Sequence, residues 1–332
     1  MRIEVHRIAW HGRADGVAVK TFMPRFPGHL PMHLSDGRWW LDLHLPSDAR
    51  IEYRLEIRRG NRYESTLDPD RPEVATNPFG ENSVLRCSAY PASPEVAPSI
   101  EWHQRGFRVL SRAFCGRRSH HLLSPVGYPD RQPLPLLVLH DGRDYADHAA
   151  IGAVLGAAVH AGELPAMRVV LLEPRHRNTE YAANLGHASH VVDEVLPRLE
   201  ALVGIGSRRV VAGASLGAVA SWHAAWFRPD AFTGMVLQSG TFAFSRHAEV
   251  PEELTRPIRN FLTDALDDPR LQGMRVGQTC GRFESLIDWN RTVAERMSPV
   301  VTALGYEERW TGHDWGAWSD MFVGALRTAL DA

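Results

Sequence analysis

Two short stretches of the chain carry residues that could form a nucleophile and its base. Ser215 lies in VVAGASLG, where an apolar run gives way to Gly-Ala-Ser-Leu-Gly. A serine on a sharp strand-to-helix turn has an exposed hydroxyl, and the flanking Gly213 and Gly217 avoid collisions within such a turn. His313 lies in RWTGHDWGAW, on a turn after the last predicted strand. Since the chain has 17 histidines, this position indicates a base more strongly than the residue type does.

An acidic residue that orients the histidine is expected after the penultimate strand. The stretch QTCGRFESLIDWN offers Glu284 and Asp288. Glu284 is favoured because it lies in the loop or first helical turn, from where its carboxylate can reach His313, whereas Asp288 lies about one turn further on. Asp314 cannot easily fold back to the neighbouring ring. The order serine, acid, histidine is that of α/β-hydrolases, in which the acid fixes the tautomer and stabilises the imidazolium.

An oxyanion hole would need two backbone N–H groups near the nucleophile. The first is expected from Leu216, and the second from the loop after the strand that ends at His140. The sequence HDGRDY occupies this loop, and a glycine at position 142 lets the chain turn so that the N–H of Gly142 or Arg143 points at the site. A second interpretation, compatible with the first, is a strand-end turn held by Asp141.

Strands and helices alternate from about residue 100 and would position these residues. Apolar runs that end at turns, such as LPLLVLHDG, are typical of buried parallel strands. Alternation with helices predicts a parallel sheet covered on both faces. Predicted strands cover 107–114, 119–128, 134–142, 167–174, 208–213, 233–240, 273–279 and 305–310, and predicted helices cover 147–161, 186–203, 216–227, 285–304 and 315–330. Residues 241–270 are expected to be irregular and could form a cap.

The first 90 residues have a different pattern. The segments 38–45 and 50–60 alternate apolar and polar residues, as half-buried strands do. Prolines make 67–85 a predicted long loop and 90–99 a predicted linker. We therefore expect two domains, 1–98 and 99–332.

Composition excludes several classes of function. The 332 residues are 44% hydrophobic and 23% charged, which is typical of a globular protein, and the net charge of -2 gives no attraction to nucleic acid or anionic membranes. No apolar stretch approaches the roughly 18–20 residues of a membrane span, and the first twelve residues, which lack a continuous apolar segment, are not expected to act as a signal peptide. The three scattered cysteines favour a reducing cytoplasm.

No cofactor or metal is expected. The histidines show no metal-site spacing, because the adjacent His120 and His121 on one strand point to opposite faces of a sheet.

Several stretches together resemble the enterochelin esterase group, the ferric-siderophore trilactone hydrolases of the esterase D-like branch of α/β-hydrolases. The resemblance in the second domain rests on LHDGRDY, RNTEYAANLGHASHVVDEVLP, FRPDAFTGMVLQSGTF, CGRFESLIDWN and TGHDWGAW. In the first domain RWWLDLHLP, EYRL and DPDRPEVATNPFGENSVL resemble the early-set β-sandwich that precedes the catalytic domain in this group.

The resemblance implies an N-terminal β-sandwich that is followed in the chain by an α/β-hydrolase domain with a mostly parallel sheet. It also implies a serine esterase with Ser215 as nucleophile, His313 as base and Glu284 as acid, acting on a small-molecule ester such as a ferric siderophore. Predicted substrate-binding residues are Arg143, Tyr145, Arg177 and Trp315. Arginine side chains suit an anionic catecholate because guanidinium groups bind oxygen anions. The alternative for each arginine is a solvated or ion-paired side chain.

The sequence is also compatible with other functions. A plant-wall or feruloyl-type esterase would use Trp39, Trp40 and Trp102 to stack on sugars, although packing in the sandwich core or at the domain boundary is favoured for these residues. Acyl transfer shares the same acyl-enzyme, and a hydrolase-like scaffold without activity is a third class. Trp318, one turn beyond Trp315, is the better candidate for packing the last helix against the sheet.

Overall fold

The computed structural model describes residues 2–91, 98–245 and 251–331, and these form two compact units. The first unit contains the residues up to 91 together with two late segments, Gly281–Ile287 and Glu308–Ala317. The second contains the rest of the described chain. The predicted linker at 90–99 lies mostly outside the described residues.

The N-terminal strands form two antiparallel sheets. The first has the order β1-β5-β4, and the second has the order β3-β2-β6-β9-β8 with β7 paired to β6. The strands are β1 Ile3–His11, β2 Gly16–Thr21, β3 His29–Pro31, β4 His33–Ser35, β5 Arg38–Pro46, β6 Arg50–Arg59, β7 Arg62–Thr66, β8 Val74–Asn77 and β9 Gly80–Arg86.

The hydrophobic core of the first unit is built by alternate residues of its strands. On β6 the side chains of Ile51, Tyr53 and Leu55 are fully buried, as the period of two requires for one face of a strand. Side chains from β1, β2 and β5 join the same cluster. Phe283, from one of the two late segments, also belongs to this core.

The segment 67–85 was expected to be a loop, and this prediction is wrong. Its prolines lie before β8 or in the tight turn between β8 and β9, where they do not interrupt strand pairing. The two strands therefore form a hairpin around Asn77–Gly80. Val84 and Leu85 are buried, which supplies the hydrophobic burial that holds β9 against β6.

An eight-stranded, mostly parallel sheet forms the centre of the second unit. Its order is β10-β11-β13-β12-β14-β15-β16-β17. The strands are β10 Trp102–Ser111, β11 Gly116–Pro125, β12 Leu134–Leu139, β13 Arg168–Leu171, β14 Ile205–Ala214, β15 Gly234–Gln238, β16 Arg275–Gly281 and β17 Ala303–Arg309. The pairs from β13 through β12, β14 and β15 to β16 are parallel, while β10 and β11 are antiparallel. The predicted architecture, a β-sandwich followed in the chain by an α/β-hydrolase fold, is confirmed.

Nine α-helices are described in this chain between residues 142 and 330. They are α1 Gly142–His148, α2 Ile151–His160, α3 Arg177–Tyr181, α4 Leu185–Ser189, α5 Leu196–Leu202, α6 Leu216–Phe227, α7 Glu252–Ala265, α8 Ile287–Met297 and α9 Trp315–Leu330. A π-helical segment, His190–Val195, joins α4 to α5. None of the described helices combines the length and apolar character that a membrane crossing requires.

Three of the predictions for the helical regions need correction, and the first is that the helix expected at 285–304 ends at Met297. The helix expected at 147–161 is two helices, because Ala150 has a positive φ of 47° that interrupts the hydrogen-bond ladder. The region 241–270, expected to be irregular, contains α7. Leu254, Ile258 and Phe261 form a buried stripe at helical spacing, and this packing outweighs Pro257, a helix-breaking residue, in its interior.

Candidate active site

Ser215 occupies a strained turn between β14 and α6. Its backbone angles are φ 58° and ψ −122°, a conformation that costs free energy in any residue other than glycine. Backbone hydrogen bonds hold this geometry, since the Ser215 N–H donates to Gln238 O at 2.9 Å and the Thr241 N–H donates to Ser215 O at 3.2 Å. Such a turn sets a serine hydroxyl apart from the backbone, as a nucleophile requires.

The two glycines near Ser215 have different surroundings. A Cβ at Gly213 would lie 2.4 Å from the Gly217 carbonyl oxygen, well inside the contact distance. A Cβ at Gly217 would lie 3.3 Å from Asp141 Oδ2 and 3.4 Å from His140 Cβ. A glycine is therefore needed at position 213 for the turn to form, whereas a Cβ at position 217 would require its neighbours to shift by a few tenths of an ångström.

The Ser215 hydroxyl has a neighbour that the sequence did not suggest. Its Oγ lies 3.2 Å from the Oγ1 of Thr241, a buried residue in the segment after β15. Either hydroxyl can donate this hydrogen bond. The only available signal was the stretch QSGTF, in which a serine, a glycine and a threonine directly follow a buried strand.

Glu284 and His313 form a hydrogen-bonded pair in the first unit. Glu284 Oε2 lies 2.7 Å from His313 Nδ1, and the Glu284 side chain is only 1% exposed. The Gly281 N–H donates to Glu284 Oε1 at 2.8 Å and so fixes the carboxylate. This arrangement places the proton on Nδ1, which assigns any base function of His313 to Nε2.

Each of the other two candidate acids pairs with an arginine side chain. The Asp288 side chain is 63% exposed and pairs with Arg291 at 3.7 Å. Asp314 accepts from Arg50 Nη1 at 2.6 Å. Of the three carboxylates considered from the sequence, the structure brings Glu284 to His313.

The candidate oxyanion donors lie at the first turns of two helices. Leu216 and Arg143 are the first residue of α6 and the second residue of α1, where backbone N–H groups have no acceptor within their own helix. Gly142 is a correction to the prediction, because its N–H donates to the Leu172 carbonyl at 2.9 Å. Arg143 is therefore the better candidate on this loop.

The arginines predicted to bind substrate have different surroundings. The Arg143 side chain is 75% exposed and lies 3.4 Å from Asp147. Arg177 is instead fixed by Asp141, to which its Nε and Nη2 donate at 2.9 and 2.7 Å. Burial lowers and the carboxylate raises the pKa of this guanidinium, and the net shift is upward. The Arg177 charge is thus neutralised by a buried partner, whereas Arg143 presents a solvated cation.

Tyr145 is not placed to bind a substrate. Its side chain is fully buried and its hydroxyl donates to Gln238 Oε1 at 2.8 Å. Burial raises the pKa of this phenol well above its usual value. Tyr145 is the fourth residue of α1, on the face that packs against the sheet, and the sequence pattern of so short a helix did not show which face this was.

Both tryptophans of the last helix are largely buried. Trp318 belongs to the core, and its indole N–H donates to Ser239 Oγ at 2.9 Å. Trp315 is 9% exposed, so only a small part of its surface could line a pocket.

The three tryptophans considered for sugar stacking have other contacts. In the first unit Trp39 is buried in the core, and the partly buried Trp40 lies under the Arg7 guanidinium at 4.6 Å. Trp102, partly buried, donates its indole N–H to Gly152 O at 2.8 Å.

Two buried histidines behind the serine turn were missed from the sequence. His140 Nε2 lies 2.9 Å from His187 Nε2, and His140 Nδ1 lies 2.9 Å from Ser221 Oγ. Burial lowers the pKa of His140 to about 4 and that of His187 well below its usual value. Both rings are therefore neutral near pH 7 and act as hydrogen-bonding core residues.

Among the described residues, one group of three side chains has the chemistry of metal ligands. Glu4, His6 and Cys87 place one ligand atom each within 4.8 Å of the others. Glu4 already accepts from the Ser88 N–H at 3.0 Å, from the Ser88 hydroxyl and from His6. Burial raises the pKa of Cys87 to about 11, so its thiol is protonated near pH 7. The hydrogen bonds from His6 and Ser88 account for the position of the Glu4 carboxylate.

Comparison with known proteins agrees with the geometry. Residues 111–329, more than half of the chain, match the family model described as "Esterase: Putative esterase". The iron(III) enterobactin esterase of Escherichia coli K12 is 24% identical over 86% of this chain and 68% of its own length. The iron(III) salmochelin esterase of E. coli O6:H1 is 25% identical over 87% of this chain and 76% of its own length.

Solved structures share the fold. A ferric enterobactin esterase from Salmonella typhimurium superposes with a TM-score of 0.83 and 18% identity, covering 97% of this chain and 92% of that one. A ferulic acid esterase gives a TM-score of 0.54 with 20% identity and covers 68% of this chain and 98% of that one. The resemblance to enterochelin esterases that the sequence motifs suggested is confirmed, and the chain belongs to the esterase family, whose members are carboxylic ester hydrolases.

Proposed function

We propose that this protein is a serine esterase that cleaves the ester bonds of a siderophore-type polyester through an acyl-enzyme. The strained turn at Ser215 is the observation that carries the reaction type, because a backbone held at φ 58° persists only where the surrounding structure enforces it. Sequence similarity to enterobactin and salmochelin esterases extends over both units of the chain, which supports the substrate class.

In the proposed reaction Ser215 Oγ attacks the ester carbonyl while His313 Nε2 takes its proton. The N–H groups of Leu216 and Arg143 stabilise the oxyanion of the tetrahedral intermediate. The imidazolium, held by Glu284, then protonates the leaving alcohol and an acyl-enzyme remains on Ser215. Water, deprotonated by His313, attacks this ester and releases the acid, which restores the serine.

The proposed substrate is a small anionic ester. Arg143 supports this choice because its guanidinium is solvated and lies one residue beyond the Gly142 turn. A charged guanidinium there would attract catecholate or carboxylate oxygens. The three cysteines, scattered at positions 87, 115 and 280 of the sequence, support a cytoplasmic site of action.

A panel of esters tests the proposed substrate. Iron-free and iron-loaded tri-catecholate trilactones, feruloyl and acetylated xylan oligosaccharides, and p-nitrophenyl acetate would be assayed with wild type and Ser215→Ala. Products would be identified by mass spectrometry. We expect kcat/KM for a trilactone to exceed that for the feruloyl ester by about tenfold or more, equivalent to about 1.4 kcal/mol in transition-state binding. The opposite ranking would favour a plant-wall esterase, and release of an acylated alcohol would favour acyl transfer.

A further inference from the structure

Arg50 is a buried charge in the first unit that the proposed chemistry does not use. Its side chain is 2% exposed and lies at the start of β6. The guanidinium donates to two carboxylates, from Nη2 to Glu52 Oε1 at 2.9 Å and from Nη1 to Asp314 Oδ1 at 2.6 Å. Burying a guanidinium and two carboxyl groups is costly unless they satisfy one another, so this cluster fixes its members tightly.

The Arg50 cluster is attached to the segment that carries His313. Asp314 follows His313 directly, and its carboxylate also accepts from the Ala317 N–H at 2.8 Å, which caps the start of α9. Close packing leaves no free space here, because a Cβ at Gly316 would lie 2.2 Å from Arg50 Nη2. The Arg50 guanidinium therefore packs against the backbone at Gly316 and is bonded to the Asp314 side chain.

Backbone hydrogen bonds hold the same segment from two sides. The Arg50 N–H donates to Trp310 O at 2.9 Å, and Ala49 forms a parallel bridge with Trp310. From the other side, the Phe283 N–H donates to Thr311 O at 3.1 Å. Residues 310–314, the histidine loop, are thus tied both to β6 and to the segment that supplies Glu284.

Charge balance makes Arg50 necessary within this cluster. Burial and the nearby Glu52 carboxylate raise the pKa of Asp314 to about 8, while Arg50 acts in the opposite direction. Glu52 has one further donor, the Asn82 amide, at 3.0 Å from Oε2. Without the guanidinium, two buried carboxyl groups would face each other, and the ionisation of both would be strongly unfavourable.

We infer that Arg50 is a positioning residue for His313, holding the histidine loop in the geometry that general-base catalysis requires. The inference rests on the proposed function, in which His313 is the base. Arg50 takes no part in the reaction itself in this account. It acts through Asp314, and a displacement of about 1 Å at a catalytic group can lower a rate about 100-fold.

The test is the kinetics of Arg50→Met, Arg50→Lys and the double variant Arg50→Met/Glu52→Gln on p-nitrophenyl acetate. Arg59→Met is the matched control, because Arg59 ends the same strand and forms an exposed pair with Glu64. Concentrations of folded enzyme would be fixed by circular dichroism and size exclusion. We expect Arg50→Met to lower kcat about 10- to 100-fold with KM changed less than about twofold. Arg50→Lys and the double variant should each recover part of kcat, since one restores the cation and the other removes the uncompensated carboxylate.

Two results would overturn the inference. One is a wild-type kcat per folded molecule in Arg50→Met, or in the double variant, which also lacks the guanidinium, should the single methionine variant not fold. The other is a loss of kcat that neither the lysine nor the Glu52→Gln change relieves. His313→Ala in the same assay separates the two levels of the account. If His313→Ala is inactive and Arg50→Met is fully active, only the positioning role of Arg50 is refuted. If His313→Ala is active, the proposed function is refuted.

Discussion

Ser215 stands out at the scale of single residues because its side chain and its backbone point to the same role. A plain strand-to-helix connection could use any small residue, but a non-glycine residue at φ 58° needs the surrounding hydrogen bonds to Gln238 and Thr241. Glu284 and His313 add the second half of the proposed chemistry, with a carboxylate that is 1% exposed and fixed by a backbone N–H.

Replacement of Ser215 and His313 should show that they work as one unit. We expect Ser215→Ala and His313→Ala each to lower kcat by about three orders of magnitude or more, because either change abolishes nucleophilic attack. The double variant should be little worse than either single one. Steady-state rates on p-nitrophenyl acetate provide the measurement, and losses that multiply in the double variant would mean that the two residues act independently.

Asp314 should give the protein a distinctive dependence of stability on pH. Its pKa is raised from 3.8 in the unfolded chain to about 8 in the folded protein, so the folded state holds a proton that the unfolded state has released. The contribution of this proton to the free energy of unfolding is complete below about pH 4 and is lost as pH rises to about 8. Over this range the free energy of unfolding falls by on the order of 1 kcal/mol per pH unit.

Asp314→Asn removes this titration and keeps an N-cap residue at the start of α9. Urea unfolding of the variant between pH 5 and pH 8 should therefore show a shallower fall in the free energy of unfolding than wild type. Equal slopes in the two proteins would show that Asp314 titrates at an ordinary pKa.

At the scale of secondary-structure elements, the sequence predicted most of what surrounds the site. Strand β14, the turn at Ser215 and helix α6 follow from one apolar run that ends in a glycine-flanked serine. The hairpin β8–β9 and helix α7 could not be predicted in this way, because prolines concealed them and tertiary burial of Val84 and Ile258 decides their structure. The buried side of α1 was likewise hidden, so Tyr145 was misplaced.

The serine turn should depend on Gly213. An alanine there would place its Cβ 2.4 Å from the Gly217 carbonyl oxygen, which forces β14 and α6 apart. We expect Gly213→Ala to lower kcat about 100-fold or more by displacing Ser215. Gly152→Ala, within helix α2, is the control. The Cβ of this alanine would meet only Trp102, at the ordinary contact distance of 3.8 Å. Rates equal to wild type in both variants would refute the requirement for a glycine at 213.

At the scale of the whole molecule, the boundary of the first unit does not follow the order of the chain. The segments Gly281–Ile287 and Glu308–Ala317 belong to this unit, although they are remote in sequence from its strands. Simple alternation of apolar residues predicted the sheet-rich N-terminal region but could not reveal that Phe283 packs into its core. Partnerships between such distant segments depend on the tertiary fold.

Removing the N-terminal strands should therefore destabilise the rest of the chain. A protein of residues 100–332 would expose Phe283, leave Asp314 without Arg50 and lose the bonds from β6 to the histidine loop. Loss of a buried large apolar contact costs about 3–5 kcal/mol by itself, a sizeable part of a typical domain's stability. Thermal unfolding should show a lower Tm or no cooperative transition. A truncated protein with the Tm of the full chain would contradict this.

The central claim, that the protein is a serine esterase with Ser215 as its nucleophile, is tested most directly by covalent labelling. Wild type and Ser215→Ala would be incubated with a fluorophosphonate, digested and analysed by tandem mass spectrometry. The account predicts stoichiometric modification of Ser215 in wild type, loss of esterase activity in step with labelling, and no modification of the alanine variant. Labelling at another serine, or full hydrolysis of p-nitrophenyl acetate by Ser215→Ala, would contradict it.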